Sequence, residues 1–577
     1  MEKMEESNSK KAMVLTDLPI ECWEKFLPAS KSLLMSRTSK NVGSLMARGR
    51  PQVEVHVSLQ MRFDFSVEAD VRRRLVLQKL GAMAAKYHIV VLDLIYFGMT
   101  DQDFPQLAVT LESSVALKCL QLAGNHIGLG VRALTGMANL TSLTTLNLAR
   151  CNNQLVWALS LAEILRRFPS LVQLSLEGNR LGRTSRPVET PPPCPALKLL
   201  RLQENFLKVD GLLCVKEVLK QCPQLEYLDL SSNAFESEEM DVLVGMFEHC
   251  PRISYLNFDA NDMQHETNVE LALAQALSPL EMMTEVNLQF NTLGGLRHVG
   301  PVLQKCKGLQ YLNLGFTSLG NDGARILAGV MGHFEELKAL NVSANEISFG
   351  GAQALAAAIG RCKSLLGLNM SSNAIGSRGA VALASVIGNC QLKFLYLSHC
   401  GIGASGCEAL ATVPLEHLDD LQVIDNDIEV RGMTAIARAA GNWALTSLSC
   451  GSNYIGPGGM KAGADVMTKC KLTYLDLARN NVQDEGLEIL KAGLRECHSL
   501  KELCLNANNI TDVGASSLAE VLSSCSALTQ LNLSYNDKIG ADGERALSLH
   551  VRNTETHAPL TIELQQRGWL KAVGGTA

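Results

Sequence analysis

The sequence predicts an α/β solenoid, a stack of short parallel strands each followed by a helix, and three observations predict it. A pattern L-x-x-L-x-L-x-x-N/C-x-L recurs from residue 89 to about residue 550, as in Leu117-Lys-Cys-Leu120-Gln-Leu122-Ala-Gly-Asn125-His-Ile127. Between its copies lie Ala/Leu-rich runs with helical spacing, such as Gly351-Ala-Gln-Ala-Leu355-Ala-Ala-Ala-Ile359. One polar position recurs in phase, at a mean period near 27 residues. Self-similarity at such a period is the mark of a repeat array, whose length says nothing about domain number.

The elements follow in chain order. Residues 1–15 are charged and lack an apolar core, so they are expected to be disordered. Residues 16–50 form a small helical module: Pro19 suits a first helical turn and Glu21 its N-terminus, and Trp23, Phe26 and Leu27 share one face. Leu34, Thr38, Val42 and Leu45 make a second such face. Residues 51–88 are a transition: Val53-Glu-Val-His-Val-Ser-Leu59 alternates as a strand does, and residues 69–87 make the first outer helix. The array occupies 89–550. Residues 551–577 close it, with Thr561-Ile-Glu-Leu564 as a last strand and Trp569 and Leu570 available as a cover.

The ladder position is held by Phe97, Asn125, Cys151, Asn179, Asn205, Asn233, Asn261, Asn291, Thr317, Asn345, Asn373, Cys400, Asn426, Asn453, Asn480, Asn508 and Asn536, which makes 17 repeats. Thirteen are Asn. A carboxamide both donates and accepts, so it can satisfy backbone groups buried where the chain leaves the strand. One repeat is irregular: the prolines of segment 183–196 forbid a helix between Asn179 and Asn205. That segment is read as a surface loop or as a docking loop.

The spacing and the string N-x-I-G-x-x-G-A-x-x-L resemble the ribonuclease-inhibitor type of leucine-rich repeat. The resemblance implies a leucine-rich-repeat solenoid bent as a horseshoe, with a parallel sheet on its concave face and helices on its convex face.

The net charge of −6 gives no reason to expect nucleic acid or an anionic membrane as partner. The first 80 residues hold 14 Lys+Arg against 10 Asp+Glu, so a mildly basic head precedes an acidic body. No secretory leader and no long apolar span is read, and the odd number of cysteines, 17, lacks CxxC spacing. They are expected to be reduced thiols in a cytoplasmic or nuclear protein. Eight (Cys222, Cys250, Cys306, Cys362, Cys390, Cys470, Cys497 and Cys525) precede the first leucine of a repeat, where a small apolar side chain packs below the strand. Cys119 and Cys504 fall on predicted concave positions. No catalytic, metal-binding or cofactor motif is found, so no enzyme activity, metal or cofactor is expected. The run Arg72-Arg-Arg74 is read as a solvated helix face.

The string Leu18-Pro19-Ile-Glu21-Cys-Trp23-Glu-Lys-Phe26-Leu27, followed by Leu34 and Lys40, resembles an F-box. The resemblance implies that Leu18, Pro19, Glu21, Trp23, Phe26, Leu27 and Leu34 bind a Skp-type adaptor of a cullin-RING ubiquitin ligase while the repeats hold a substrate. The same helices also read as a plain cap on the first repeat. Strand side chains alternate, so the residues beside the strand leucines face the concave side. These include Tyr227, Asp229, Tyr255, Asn257, Asp259, Glu285, Tyr311, Phe394, Tyr396, Tyr474, Asp476 and Glu502, while Ala339, Ser343, Gly367 and Ser371 make a small-residue floor. Across the repeats such positions hold eight acids and one base, Arg201.

An acidic, aromatic face suits a basic protein client lying from Tyr227 to Tyr474, with no small-molecule substrate. The function expected is a protein-interaction receptor, the substrate-recognition subunit of such a ligase. The alternatives are a regulatory scaffold or inhibitor of the ribonuclease-inhibitor or NLR kind, and a RanGAP-like GTPase activator.

Overall fold

The computed structural model describes residues 52–56, 67–128, 134, 137, 139–151, 164–182, 191–261, 263, 269–553 and 560–564. The chain forms two compact units, Met1–Met283 and Thr284–Ala577. In both, the central apolar residue of each repeat strand, from Leu92 to Leu531, is at most 2% exposed. A three-residue strand with a buried centre turns its two flanking residues to the opposite face.

In the first unit the strands are β1 (Gln52–His56), β2 (His88–Asp93), β3 (Cys119–Gln121), β4 (Thr145–Asn147), β5 (Gln173–Ser175), β6 (Leu199–Arg201), β7 (Tyr227–Asp229) and β8 (Tyr255–Asn257). They pair in parallel and in chain order, with a register shift only between Val53 and Glu54 of β1. The second unit continues with β9 (Glu285–Asn287), β10 (Tyr311–Asn313), β11 (Ala339–Asn341), β12 (Gly367–Asn369), β13 (Phe394–Tyr396) and β14 (Asp420–Gln422). It ends with β15 (Ser447–Ser449), β16 (Tyr474–Asp476), β17 (Glu502–Cys504), β18 (Gln530–Asn532) and β19 (Thr561–Glu563). These too pair in parallel, each with the next. The architecture is that of a leucine-rich-repeat solenoid.

The ladder works as its chemistry requires. Asn373 Oδ1 accepts from the N–H groups of Asn345 and Ile347, both at 3.0 Å, and its Nδ2 donates to Val342 O at 2.9 Å and Met370 O at 2.8 Å. Where Cys400 replaces Asn, the thiol donates to Met370 O at 3.2 Å and takes the Asn373 N–H. The residue before the ladder position adopts the left-handed region, as in Arg150 (φ 54°), Phe290 (φ 53°) and Ser372 (φ 56°). Gly124 (φ 72°) serves this place in its repeat, and the ring of Tyr96 lies where a Cβ would stand, 2.2 Å away.

The helices bury one stripe each. Phe349–Ile359 buries Gly351, Ala352, Leu355, Ala356, Ala358 and Ile359. A Cβ on Gly351 would lie 2.7 Å from Asn321 Oδ1 and 2.8 Å from Ile347 Cγ2, so this glycine of the repeat motif is demanded by close approach. Asn321, from the preceding helix, accepts from Ser348 N at 3.0 Å and Gly351 N at 2.8 Å. It caps its neighbour across the repeat boundary.

Two expectations change. Arg73 is not solvated: it is 5% exposed and its Nε meets Asp103 Oδ2 at 3.3 Å, so the helix Val67–Lys86 turns one arginine of its basic run inward. Cys194 occupies the same place below the strand as the eight cysteines named above, and the sequence reading passed over it. The part of the proline-rich segment from residue 191 has no helix, and residues 183–190 lie outside the described residues. So do Trp569 and Leu570. Among the described residues no helix is long and apolar enough to cross a membrane.

Candidate protein-binding face

The outward residues of the sheet form two columns per unit, one on each side of the buried central leucine. In the first unit Tyr227 and Tyr255 are in register on β7 and β8, and their rings stack with centroids 3.9 Å apart and planes 6° from parallel. The guanidinium of Arg201, from β6, lies 5.0 Å from the Tyr227 centroid. Asp229 is only 6% exposed, and its Oδ1 accepts from Ser231 N at 3.0 Å and Ser231 Oγ at 2.6 Å. Burial, and then the charge of Asp229, push the Asp259 carboxyl above the usual carboxylate value.

Two acceptors in this tract are buried without a donor: Asp259 Oδ1 and Gln203 Oε1. Gln203 is held in that orientation because its Nε2 donates to Glu177 Oε2 at 2.7 Å, and a flipped amide would set oxygen against carboxylate. Glu177 also accepts from Arg150, which bridges on to Glu204 at 2.9 Å. The tract is rich in acceptors and poor in donors.

In the second unit one column runs Glu285, Tyr311, Ala339, Gly367, Phe394, Asp420, Ser447, Tyr474, Glu502 in continuous register. Tyr311 and Phe394 are 43% and 40% exposed; Glu285, Tyr396, Tyr474, Asp476 and Glu502 are half-buried. Tyr396 donates its hydroxyl to Asp420 Oδ2 at 2.9 Å, and Asp420 Oδ1 is buried without a donor. Asp476 Oδ1 accepts from Ala478 N at 2.8 Å, and burial raises its carboxyl. Burial and nearby acids hold the Tyr396 and Tyr474 hydroxyls well above the usual phenol value, and the Cys504 thiol is pushed up to about 11. A carboxamide chain lies beside them: Asn341 Nδ2 donates to Asn313 Oδ1 at 2.8 Å, and Asn313 Nδ2 to Gln289 Oε1 at 2.6 Å.

Sequence reasoning missed one feature of this unit. Phe290 and Phe316 stack at 4.4 Å and 24°, and are 45% and 47% exposed at the turn edge. The signal was an aromatic residue immediately before the ladder position in two successive repeats. The F-box-like residues Leu18, Pro19, Glu21, Trp23, Phe26, Leu27 and Leu34 lie outside the described residues.

A family model described as "Leucine Rich repeat" matches residues 361–384, 388–411, 468–490, 496–519 and 524–548, all in the second unit. These segments match the leucine-rich-repeat model, and the sheet and ladder described above carry the same architecture in both units; such repeats are protein-interaction modules. No curated protein matches the chain. Among solved structures it is similar to that titled "Crystal structure of TLR13-ssRNA13 complex", at 16% identity over 83% of this chain and 77% of that one, with a TM-score of 0.38. That overlap carries nothing about what this chain binds.

Proposed function

We propose that the chain is a receptor whose outward sheet face holds a basic segment of a client protein, and that residues 16–50 couple it to a Skp-type adaptor of a ubiquitin ligase. The observation that carries the first part is the imbalance at Gln203 and Asp259: buried acceptors lack donors inside the chain. A guanidinium or ammonium brings several donors and the opposite charge. The stacked tyrosines beside it supply anchoring area at low cost in side-chain entropy.

The adaptor part rests on the string from Leu18 to Lys40 standing ahead of the repeats. Co-purification with a Skp-type adaptor tests it, and replacing Leu18, Pro19 and Trp23 by Ala abolishes that capture. Retention of the adaptor by the triple variant refutes the assignment. For the client face the probe is an arginine–serine peptide, titrated against the full chain over a range of salt. Charge reversal of Asp229 and Asp259 weakens it by at least about tenfold and flattens the salt dependence. Affinity and salt dependence both unaltered would sink this reading.

A further inference from the structure

Six consecutive strands of the second unit, β9 to β14, place Glu285, Tyr311, Ala339, Gly367, Phe394 and Asp420 side by side in one column. The order is acid, aromatic, small, small, aromatic, acid. Strand spacing sets the two aromatic residues about 14 Å apart and the two acids about 24 Å apart. The aromatic walls are the most exposed members, at 43% and 40%.

Packing does not demand the glycine at the floor. A Cβ on Gly367 would meet Ala339 Cβ at 3.7 Å and Phe394 Cδ2 and Cβ at 3.9 and 4.0 Å, which is ordinary contact, and its φ is not in the left-handed region. Glycine inside a strand weakens the strand and often marks a place where another group approaches. Here it keeps a gap open between two rings. The second column over the same strands, Asn287, Asn313, Asn341, Asn369, Tyr396 and Gln422, is uncharged, and neither column holds a Lys or Arg. Within the two columns the charged groups are thus the two carboxylates outside the walls, and Asp420 keeps one buried oxygen without a donor.

We infer that this notch takes one bulky apolar side chain of an extended client segment, and that a basic residue on each side of that chain pairs with Glu285 and with Asp420. The inference rests on the reading of the sheet face as a surface for basic segments and specifies its pattern: basic, apolar, basic. At roughly 3.3 Å per extended residue the two bases are about seven residues apart.

The test is fluorescence anisotropy on the full chain with three labelled peptides of about nine residues, a length that spans the acids at ~3.3 Å per residue. The first has a lysine near each end and a central tryptophan among glycine and serine. The second has serine for tryptophan, and the third serine for both lysines. The first binds about tenfold or more tighter than either of the others, and Gly367→Leu, which fills the notch, removes the advantage of tryptophan while leaving the dependence on lysine. If the tryptophan and serine peptides bind alike, or Gly367→Leu keeps the preference, the notch is refuted while the basic-client reading stands on the lysine dependence. If removing both lysines changes nothing, both fall.

Discussion

Tyr227 and Tyr255 lie face to face on neighbouring strands, 3.9 Å between centroids, with Arg201 set 5.0 Å over the Tyr227 ring from the strand before. Three side chains in line act as one unit, so their substitutions are expected not to add. A double-mutant cycle of Arg201→Gln and Tyr227→Leu, followed by urea unfolding, gives a coupling of about 0.5–1 kcal/mol. Strict additivity would mean that the guanidinium does not hold to the ring.

The raised carboxyl of Asp259 makes stability and client binding respond to pH in opposite directions. An acid whose folded value lies above its ordinary 3.8 binds its proton more tightly when folded, so its contribution is fully present below 3.8 and is lost as pH rises through the raised folded value. A basic ligand needs the charged form, so its binding strengthens over the same window. Asp259→Asn flattens both trends. Chemical unfolding and peptide binding measured across that window check it, and unchanged profiles in the variant exclude the role.

Asn373→Leu strips the acceptor from the N–H groups of Asn345 and Ile347 and the donor from Val342 O and Met370 O. Each buried orphan costs ~1–3 kcal/mol, so a loss of at least about 3 kcal/mol is expected. Asn139 is exposed, and its single bond to Glu112 O lies at the surface, so Asn139→Leu costs less than about 1 kcal/mol. Thermal unfolding of the two variants compares them directly.

Cys504 faces outward yet is a poor nucleophile, since burial and the nearby carboxylates of Asp476 and Glu502 push its thiol up to about 11. Maleimide labelling followed by mass spectrometry shows slow modification at neutral pH that accelerates toward that value. Asp476→Asn speeds it. Rapid labelling of the unaltered chain at neutral pH contradicts the assignment.

The repeat was legible because a site that must be both buried and polar recurs in phase, and only Asn meets that need well. The columns of the face were legible from strand alternation. What alternation does not reveal is which outward groups are already committed. Asp229 is turned to Ser231, and Tyr396 is tied to Asp420, by bonds that depend on side-chain rotation. Arg73 read as solvated because its partner Asp103 is 30 residues away, beyond any local pattern. The Phe290–Phe316 stack escaped because the motif defines what is buried and leaves the exposed turn edge unconstrained.

The carboxamides of the ladder reach backward at four positions of the second unit. Asn373, Asn453, Asn480 and Asn508 each accept from the ladder N–H of the preceding repeat and donate to a carbonyl 30 or 31 residues earlier. At the ladder position a repeat is completed by its successor's carboxamide, whereas on the strands its N–H groups are completed by its predecessor, as those of Lys338 and Ala339 are by Gln310 O at 2.8 and 3.0 Å. Cutting away downstream repeats strands ladder amides and carbonyls in the apolar interior of the last survivor, while cutting upstream repeats frees a side-chain amide and the strand N–H groups at the new sheet edge. Within the second unit β19 acts as the stop, receiving Leu533 N on Glu563 O at 2.9 Å. Fraying is then expected to start at the stop and run toward the N-terminus, so proteolytic fragments of this unit should share an intact far end and differ in where the near end was lost.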